Sequence, residues 1–389
     1  VILDATANAE EPPVIALGPA IYSHDIFTLG DYMYTSEIYA GEMGIYDISD
    51  LSNIREVSRR QTPFQFTHNA WTTSDGNYVF TTDERANAYV AAYDITDKSD
   101  IVFLDQHRPL ETEGNGVIPH NVHVTKDNFL VTSHYTDGVI IVDANRPSNL
   151  IEVGNFDTFN GPDGGFSGCW GAYPFLPSGV ILASDRQTGL YVLGAEYIRA
   201  CYLEGKVTDY ITGQPVFMAD IEILDGDLNR ASADLNGDYS TGQVTSGEFE
   251  VRYSANGYIP QTITVTLENG EVTVQDVRLI PETGLVDKSG KVFMNYDSTP
   301  IEGANVLRYN TDFIFSAFSD TAGAYNIDQI VWSDYPGAAG AWGFKEIQLD
   351  TVTVNAGDDW PNIYLEKGYE DGFFLDQGWT VSSTAIQGT

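Results

Sequence analysis

Two sets of polar residues recur at fixed positions in the first half of the chain. One position of a repeated pattern carries a ring in every copy, at His24, His68, His120 and Trp170. A second position, after the next apolar run of each copy, carries Glu37, Asp83, His134 and Asp185. Imidazoles beside carboxylates are ligands for zinc or iron, and the same pairing can supply a general base. These two columns are therefore the candidate metal- or ligand-binding residues.

The columns belong to a repeated pattern of short β-strands. Residues 119–145 contain three apolar runs, Val122–Val124, Phe129–Ser133 and Val139–Val142, separated by Asn-, Asp- and Gly-containing turn sequences. Alternating polarity with this punctuation predicts a three-stranded meander, and related meanders begin at residues 23, 67 and 169. The repeat is 44 residues from His24 to His68 and 52 residues from His68 to His120, which is the length of one four-stranded propeller blade with loop variation.

Antiparallel pairing places the beginning of a blade's first strand beside the end of its second strand. The two columns are therefore expected to meet at one mouth of the propeller, near its channel, where His123 would add a further imidazole. A structural interpretation is also open, because His, Ser/Thr and Asp form a hydrogen-bond network inside each blade of WD-repeat propellers. Thr35-Ser36-Glu37 and Thr81-Thr82-Asp83 could serve that purpose here.

Composition excludes several function classes. Nineteen Lys and Arg against 56 Asp and Glu give a net charge of −37, which argues against binding to nucleic acid or to anionic membrane surfaces. No apolar run reaches the length of a membrane-spanning helix, so membrane insertion is not expected. Abundant Tyr and Gly without a long amphipathic helical pattern indicate an all-β protein that is secreted or exposed at a surface.

The chain contains two cysteines, Cys169 and Cys201, which lie in the last blade and at its exit. In an oxidising compartment they could form a disulfide that closes the end of the propeller, with a stabilisation of roughly 2–4 kcal/mol. Two buried free thiols are the alternative, and the sequence leaves both open.

The predicted fold is all-β, with a partial propeller of about four and a half blades followed by two small β-sandwiches. Residues 1–198 form the propeller, and because residues 1–18 match the third and fourth strands of a blade, an earlier part of the propeller is expected to be missing. Residues 202–281 and 283–368 form the sandwiches, and residues 369–389 are predicted to begin a further, truncated domain.

The first sandwich contains a candidate calcium site. Side-chain oxygens cluster at spacings that calcium could use, at Asp225, Asp227, Asn229, Asp234, Asn236 and Asp238. Neither the segment at residues 225–229 nor the segment at residues 234–238 matches an EF-hand loop, which requires a Glu at its twelfth position. A plain hairpin turn built on the Asn-Gly pair is the alternative interpretation.

Two family resemblances follow from these motifs. The blades, with His-Asn or His-Asp opening the inner strand and IVDAN or IYDISD in the third strand, resemble the LVIVD-repeat propellers of the "choice-of-anchor B" family. The sandwiches, through GKVTD, TGQPV and DLNGDY, resemble carboxypeptidase regulatory-like (transthyretin-like) domains. The first resemblance implies a Gram-negative bacterium of the Bacteroidota, with export to the outer-membrane surface or medium by type IX secretion.

The propeller family has no well-established catalytic activity. The sequence therefore predicts a non-enzymatic, modular binding or adhesion protein, whose propeller contacts a protein or glycan at the cell surface and whose sandwiches act as spacers. The sequence leaves three possibilities for a cofactor: no cofactor, calcium or a transition metal. Two alternatives stay open, namely a metal-dependent hydrolase or lyase with a His/Asp site at the channel mouth and a structural subunit of a larger envelope or secretion assembly.

Overall fold

The structure is a computed structural model that describes residues 1–226, 230–357 and 359–368. It confirms the predicted fold class, because the described residues form 33 short strands and one 3-10 turn at Glu282–Gly284. No helix among the described residues is long and apolar enough to cross a membrane. The predicted truncated domain at residues 369–389 lies outside the described residues.

Three antiparallel four-stranded sheets form the first three complete blades. The strands of the first are β3 (Asp25–Leu29), β4 (Tyr32–Glu37), β5 (Glu42–Asp47) and β6 (Arg55–Gln61). Those of the second are β7 (Thr67–Thr72), β8 (Tyr78–Asp83), β9 (Val90–Asp94) and β10 (Val102–His107). Those of the third are β11 (Asn121–Val124), β12 (Phe129–Ser133), β13 (Val139–Asp143) and β14 (Ile151–Phe156).

Two smaller sheets flank the complete blades in sequence. A two-stranded hairpin, β1 (Ile2–Leu3) and β2 (Val14–Ala16), precedes them as the predicted half blade. A three-stranded blade follows, with β15 (Cys169–Tyr173), β16 (Val180–Asp185) and β17 (Gly189–Gly194).

The hydrophobic core of the propeller lies between neighbouring blades. Tyr34 and Ile45 of the first blade pack with Val79 and Tyr93 of the second. A second cluster joins blades two and three through Phe80, Val122, Leu130 and Ile140, and a third joins blades three and four through Val131, Val139 and Ile181. Burying each such side chain contributes roughly 1.5–3 kcal/mol, so the face-to-face packing of the sheets stabilises the propeller.

Tight turns connect the strands, as the turn residues in the sequence predict. Gly138, between β12 and β13, has a φ of 74° and would place a Cβ atom only 2.1 Å from the carbonyl oxygen of Phe156. Only glycine fits at this position, because a side chain would meet both steric strain and the neighbouring backbone.

Nine strands form the first sandwich region. They are β18 (Cys201–Asp209), β19 (Asp220–Ile223), β20 (Ala231–Ser232), β21 (Asp238–Gln243), β22 (Gly247–Ser254), β23 (Tyr258–Ile259), β24 (Gln261–Leu267), β25 (Val272–Val274) and β26 (Val277–Pro281). β18 pairs antiparallel with β21 and parallel with β25, whereas β20, β19, β22 and β24 form a separate sheet.

Seven strands form the second sandwich. They are β27 (Leu285–Met294), β28 (Asn305–Tyr309), β29 (Ile314–Phe318), β30 (Ala324–Val331), β31 (Asp334–Gly340), β32 (Ile347–Thr353) and β33 (Ile363–Leu365). One sheet has the order β30-β27-β33 and the other β29-β28-β31-β32, with Val292, Val306, Tyr335 and Ile363 in the core between them.

The chain separates into two compact units. One contains residues 1–207, 217–253 and 262–277, and the other contains residues 208–216 and 254–261 and the chain from Arg278 onward. The predicted domain boundaries at 198, 281 and 368 stay a prediction.

The candidate disulfide between the two cysteines is not formed in this structure. Cys169 and Cys201 are both free and buried. Cys169 Sγ contacts the carbonyl oxygen of Gly171 at 3.6 Å, whereas Cys201 Sγ contacts that of Val244 at 3.8 Å. Each sulfur therefore contacts a different backbone carbonyl group, and the structure contains two buried free thiols.

Candidate functional site

The rings of the first column stack into a ladder across four blades. The ring centroids of His24 and His68 are 4.1 Å apart, those of His68 and His120 are 4.4 Å apart, and those of His120 and Trp170 are 5.5 Å apart. These residues lie at or beside the beginning of β3, β7, β11 and β15, the first strand of each blade. The structure thus brings the first predicted column together at one mouth of the propeller.

Hydrogen bonds between blades hold the ladder in place. Thr82 Oγ1 donates to the carbonyl oxygen of His120 at 2.6 Å, and Nδ1 of His68 lies 3.1 Å from the same oxygen. One blade further on, Ser133 Oγ donates to the carbonyl oxygen of Trp170 at 3.2 Å. The hydroxyl that ends the second strand of one blade therefore positions the ring residue of the next.

β-bulges also orient two of the rings. In the second blade, Thr67 pairs with Asp83 but Asn69 pairs with Thr82, so His68 is the extra residue. In the fourth blade, Cys169 pairs with Asp185 and Gly171 with Ser184, which makes Trp170 the extra residue. A bulge redirects a side chain relative to regular strand alternation, and here it redirects both residues at the same structural position.

The second predicted column does not join the ladder. Glu37 is fully buried inside its own blade, where its carboxylate accepts hydrogen bonds from Tyr46 at 2.9 Å and Thr35 at 3.0 Å and pairs with Arg59. Asp83 accepts hydrogen bonds from Thr62 Oγ1 at 2.6 Å and from the backbone N–H groups of Phe64 and Phe66 at 2.9 and 2.8 Å. Both carboxylates stabilise their own blade.

Asp185 and His134 follow the same pattern. Asp185 accepts hydrogen bonds from Thr158 Oγ1 at 2.7 Å and from the N–H groups of Gln187 and Thr188, both at 2.8 Å. His134 is buried, with Nδ1 3.3 Å from Asp137. Among the described residues, no hydrogen bond or ion pair links the second column to the ladder, and a joint site formed by both columns stays a prediction.

In the second and third blades, the residue immediately after the second column contacts the ladder instead. This position holds Ile38, Glu84, Tyr135 and Arg186 in the four blades. Oε2 of Glu84 lies 3.7 Å from Nε2 of His68, and Oε1 lies 3.8 Å from Nε2 of His120. Successive side chains of a strand alternate between its two faces. The carboxylate of Asp83 therefore lies inside the blade, whereas that of the next residue, Glu84, lies at the mouth.

Glu84 was not identified from the sequence, and its surroundings define a compact polar cluster. One ligand atom from each of His68, Glu84 and His120 lies within 4.8 Å of the others. The hydroxyl of Tyr135 donates to Oε1 of Glu84 at 2.6 Å. The only signal in the sequence is the adjacency of Asp83 and Glu84, which offers two carboxylates of opposite orientation.

Burial determines the protonation states in the cluster. Burial lowers the pKa of His68 and lowers the pKa of His120 to about 3, with further lowering of the latter by neighbouring His68. Burial and the hydrogen bond to Glu84 raise the pKa of Tyr135 well above its usual range. At physiological pH the two imidazoles are therefore neutral, and the Tyr135 hydroxyl remains a proton donor.

The backbone of Tyr135 is in a strained conformation. Its φ is 42°, a value that is unusual for a bulky residue. Two backbone hydrogen bonds with Cys169, at 3.1 and 2.8 Å, hold this segment against the fourth blade. Gly168 supports the approach, since a Cβ atom there would lie 2.2 Å from the carbonyl oxygen of Tyr135.

His123 lies apart from this cluster. Its ring packs against Trp71 at 4.7 Å and Phe175 at 5.6 Å between centroids, and burial lowers its pKa. It is an aromatic packing residue between blades in this structure.

The candidate calcium residues are described only in part, since Asp227 and Asn229 lie outside the described residues. Asp234 Oδ1 accepts hydrogen bonds from the backbone N–H groups of Asn236 at 2.8 Å and Asp238 at 2.9 Å. Asp238 pairs with Lys206 at 2.7 Å. These contacts form a hairpin turn, whereas Asp225 is exposed in a separate turn, and calcium binding stays a prediction.

Comparison with known proteins identifies one domain. The Carboxypeptidase regulatory-like domain family matches residues 202–280, which agrees with the resemblance of the first sandwich. No curated protein matches the chain. The resemblance of the blades to LVIVD-repeat propellers stays a prediction.

Several solved structures are partly similar. A protein of Lactobacillus plantarum matches with 16% identity and a TM-score of 0.38, covering 90% of this chain and 91% of its own. A candidate 6-phosphogluconolactonase of Bacteroides uniformis matches with 13% identity and a TM-score of 0.33, over 63% and 71% of the two chains. A streptococcal ancillary pilin matches with 10% identity and a TM-score of 0.26, over 72% and 81%. At these TM-scores none of the three assigns an activity to this chain.

Proposed function

We propose that this chain is a modular binding protein of the cell surface or the extracellular medium. The propeller mouth is the binding platform, and the two sandwiches are spacers that hold it at a distance from its anchor. The ladder of His24, His68, His120 and Trp170 carries this proposal, because four successive blades contribute a ring to one surface. Such a surface is rigid before a ligand arrives, which reduces the entropy cost of binding.

The exposed end of the ladder indicates the kind of ligand. The side chain of Trp170 is 56% exposed, and Phe166 and Tyr173 nearby in sequence are about half exposed. Aromatic faces offer large, rigid contact areas for flat apolar surfaces, including the apolar face of a sugar ring. With a net charge of −37, the chain repels polyanions, so a neutral glycan is the proposed ligand.

The proposed location follows from the modular composition. A carboxypeptidase regulatory-like domain follows the propeller, and an acidic, lysine-poor sequence is typical of a strongly solvated surface. Together with the resemblance of the blades to the choice-of-anchor B family, this supports the outer surface of a Gram-negative bacterium of the Bacteroidota. Type IX secretion is the export route that this resemblance implies.

A hydrolase or lyase built on the His/Asp columns has less support. Asp83 and Asp185 each accept three hydrogen bonds from neighbouring loops, so their oxygens are already engaged. The binding role uses only the ring ladder and does not need these carboxylates.

A glycan array tests the proposal. The full chain is applied to neutral oligosaccharides, and Trp170→Ala is compared with Trp342→Ala, which removes a 64% exposed tryptophan from the second sandwich. Loss of one stacking contact should weaken binding about tenfold in Trp170→Ala and leave Trp342→Ala unchanged. Absence of any bound glycan, or equal losses in both variants, would contradict a platform at the propeller mouth.

A further inference from the structure

We infer that His68, His120 and Glu84 bind one divalent transition-metal ion of the zinc class at the propeller mouth. The inference goes beyond the proposed function and does not depend on it, because it concerns an ion held by the second and third blades rather than the ligand of the exposed tryptophan. Three observations carry it: the spacing of the ligand atoms, their chemistry and the contacts that orient them.

The spacing suits a cation rather than hydrogen bonds. The separations of 3.7 and 3.8 Å between the Nε2 atoms and the Glu84 carboxylate are too long for hydrogen bonds. In a tetrahedral zinc site with bonds of about 2.0–2.1 Å, neighbouring ligand atoms are about 3.3–3.4 Å apart. The three ligand atoms lie within 4.8 Å of one another, so they surround a space that a zinc-sized ion fills after inward movements of up to roughly 0.7 Å per ligand atom.

The ligand set matches the preference of the ion. Two imidazole nitrogens and one carboxylate oxygen are borderline ligands that zinc accepts, whereas calcium and magnesium prefer sets made of oxygen atoms. His68 and His120 are each about 4% exposed, so the protein shields the two imidazoles from bulk water. Three protein ligands leave a fourth position open to water or to an anionic group.

Contacts behind the ligands orient them as in a metal site. Nδ1 of His68 lies 3.1 Å from the carbonyl oxygen of His120, so it can donate its proton there and leave the Nε2 lone pair directed at the cluster. Tyr135 donates to Oε1 of Glu84 at 2.6 Å, which fixes the carboxylate and leaves Oε2 for the ion. Partners of this kind typically change metal affinity by about 10- to 100-fold.

One positive charge acts on the cluster. Arg186 interacts electrostatically with His120 and Tyr135, while its guanidinium donates to the carbonyl oxygen of Phe166. That hydrogen bond ties the guanidinium to Phe166 rather than to the three ligands.

Metal titration of the full chain tests the inference. Chelator-treated protein is titrated with Zn²⁺, and in parallel with Co²⁺ as a visible-absorption probe, in excess Mg²⁺ so that surface carboxylates are occupied. We expect one tightly bound ion per chain and the strong visible bands of low-coordinate Co²⁺. Weak binding of many ions, without those bands, would overturn the inference.

Variants assign the ion to the cluster. Glu84→Gln keeps the size of the side chain and an oxygen for Tyr135, so it should fold normally yet lose at least 100-fold in affinity. His120→Asn should lose as much, whereas His107→Asn, which breaks a histidine–glutamate pair with Glu152 at 3.2 Å elsewhere in the propeller, should bind like the unmodified chain. Equal affinity in Glu84→Gln and the unmodified chain would overturn the site.

The two proposals can fail separately. Glycan retention without Zn²⁺ binding would overturn the metal site and leave the binding platform in place. Stoichiometric Zn²⁺ binding without any glycan retention would support the metal site and overturn the glycan platform.

Discussion

The hydroxyl of Tyr135 in the third blade donates a hydrogen bond of 2.6 Å to Oε1 of Glu84 in the second blade. Glu84 in turn lies between His68 and His120, so one side chain connects the polar groups of two neighbouring blades. The strained backbone of Tyr135, with a φ of 42°, is retained at this contact. Strain of this kind persists where the surrounding structure holds it, and it is concentrated at functional sites.

Removing this hydroxyl should weaken metal binding without unfolding the propeller. Tyr135→Phe keeps the ring, which packs edge-on against His120 at 5.1 Å and Phe166 at 5.4 Å. The Glu84 carboxylate loses its orienting donor, so we expect Zn²⁺ affinity to fall about 10- to 100-fold in a competition titration.

The matched control is Tyr210→Phe. Tyr210 donates to Asp312 at 2.6 Å in the other compact unit, so its removal breaks the same type of hydrogen bond away from the mouth. Unchanged Zn²⁺ affinity in Tyr135→Phe, or an equal loss in both variants, would contradict an orienting role for Tyr135.

Arg59 should contribute to the free energy of unfolding of the propeller and should not affect metal binding at its mouth. Its guanidinium pairs with the fully buried Glu37 and donates to the Tyr46 hydroxyl at 2.8 Å. Arg59→Met leaves the Glu37 charge buried without its partner, which typically lowers the free energy of unfolding by about 3–5 kcal/mol. Chemical denaturation measures this loss, and Zn²⁺ affinity should stay the same. If Arg59→Met were as stable as the unmodified chain but bound Zn²⁺ more weakly, Glu37 would instead belong to the metal site.

Strand pattern and turn residues were sufficient to predict the propeller blades and to place His24, His68, His120 and Trp170 in one column. Period-two alternation and turn sequences are local signals, and the fold places the first residue of every blade at one mouth. His24, His68 and His120 each open an inner strand in the repeat, and their rings lie next to one another in the structure.

The partner carboxylate could not be predicted in the same way. Thr82, Asp83 and Glu84 are consecutive, and each has a different partner: the carbonyl of His120, the turn at residues 62–66 and the imidazoles. The bulge at His68 shifts the pairing of β7 with β8 by one residue, so regular alternation does not predict which of the three lies beside the imidazoles. A bulge has no reliable signature in one sequence, and a shift of one residue reverses the face of every side chain.

The cysteines should behave as two protected thiols. Burial raises the pKa of Cys169 to about 12 and that of Cys201 to about 11, so little reactive thiolate is present near neutral pH. A thiol-specific reagent should label neither in the folded chain and both after denaturation, without prior reduction. Labelling that occurs only after a reductant is added would show that the disulfide forms in solution. A reductant that lowers the melting temperature would show the same.

Acid should destabilise the propeller partly through His123. Burial lowers its pKa, against the opposing attraction of Asp25, and its ring packs against Trp71 and Phe175. Well above the unfolded pKa of about 6.5, both states are neutral and His123 adds no pH dependence. As the pH falls below that value, the unfolded chain takes up a proton that the folded chain does not. The free energy of unfolding therefore decreases.

His123→Phe should reduce this acid sensitivity, since a phenyl ring suits the same aromatic contacts and does not titrate. We expect the free energy of unfolding to fall less between about pH 7 and pH 5 in the variant than in the unmodified chain. Both proteins are compared by chemical denaturation in chelator, so that bound metal does not contribute. Because all other titrating groups are shared, the difference between the two slopes isolates His123, and parallel slopes would mean that its pKa is the same in the folded and unfolded chains.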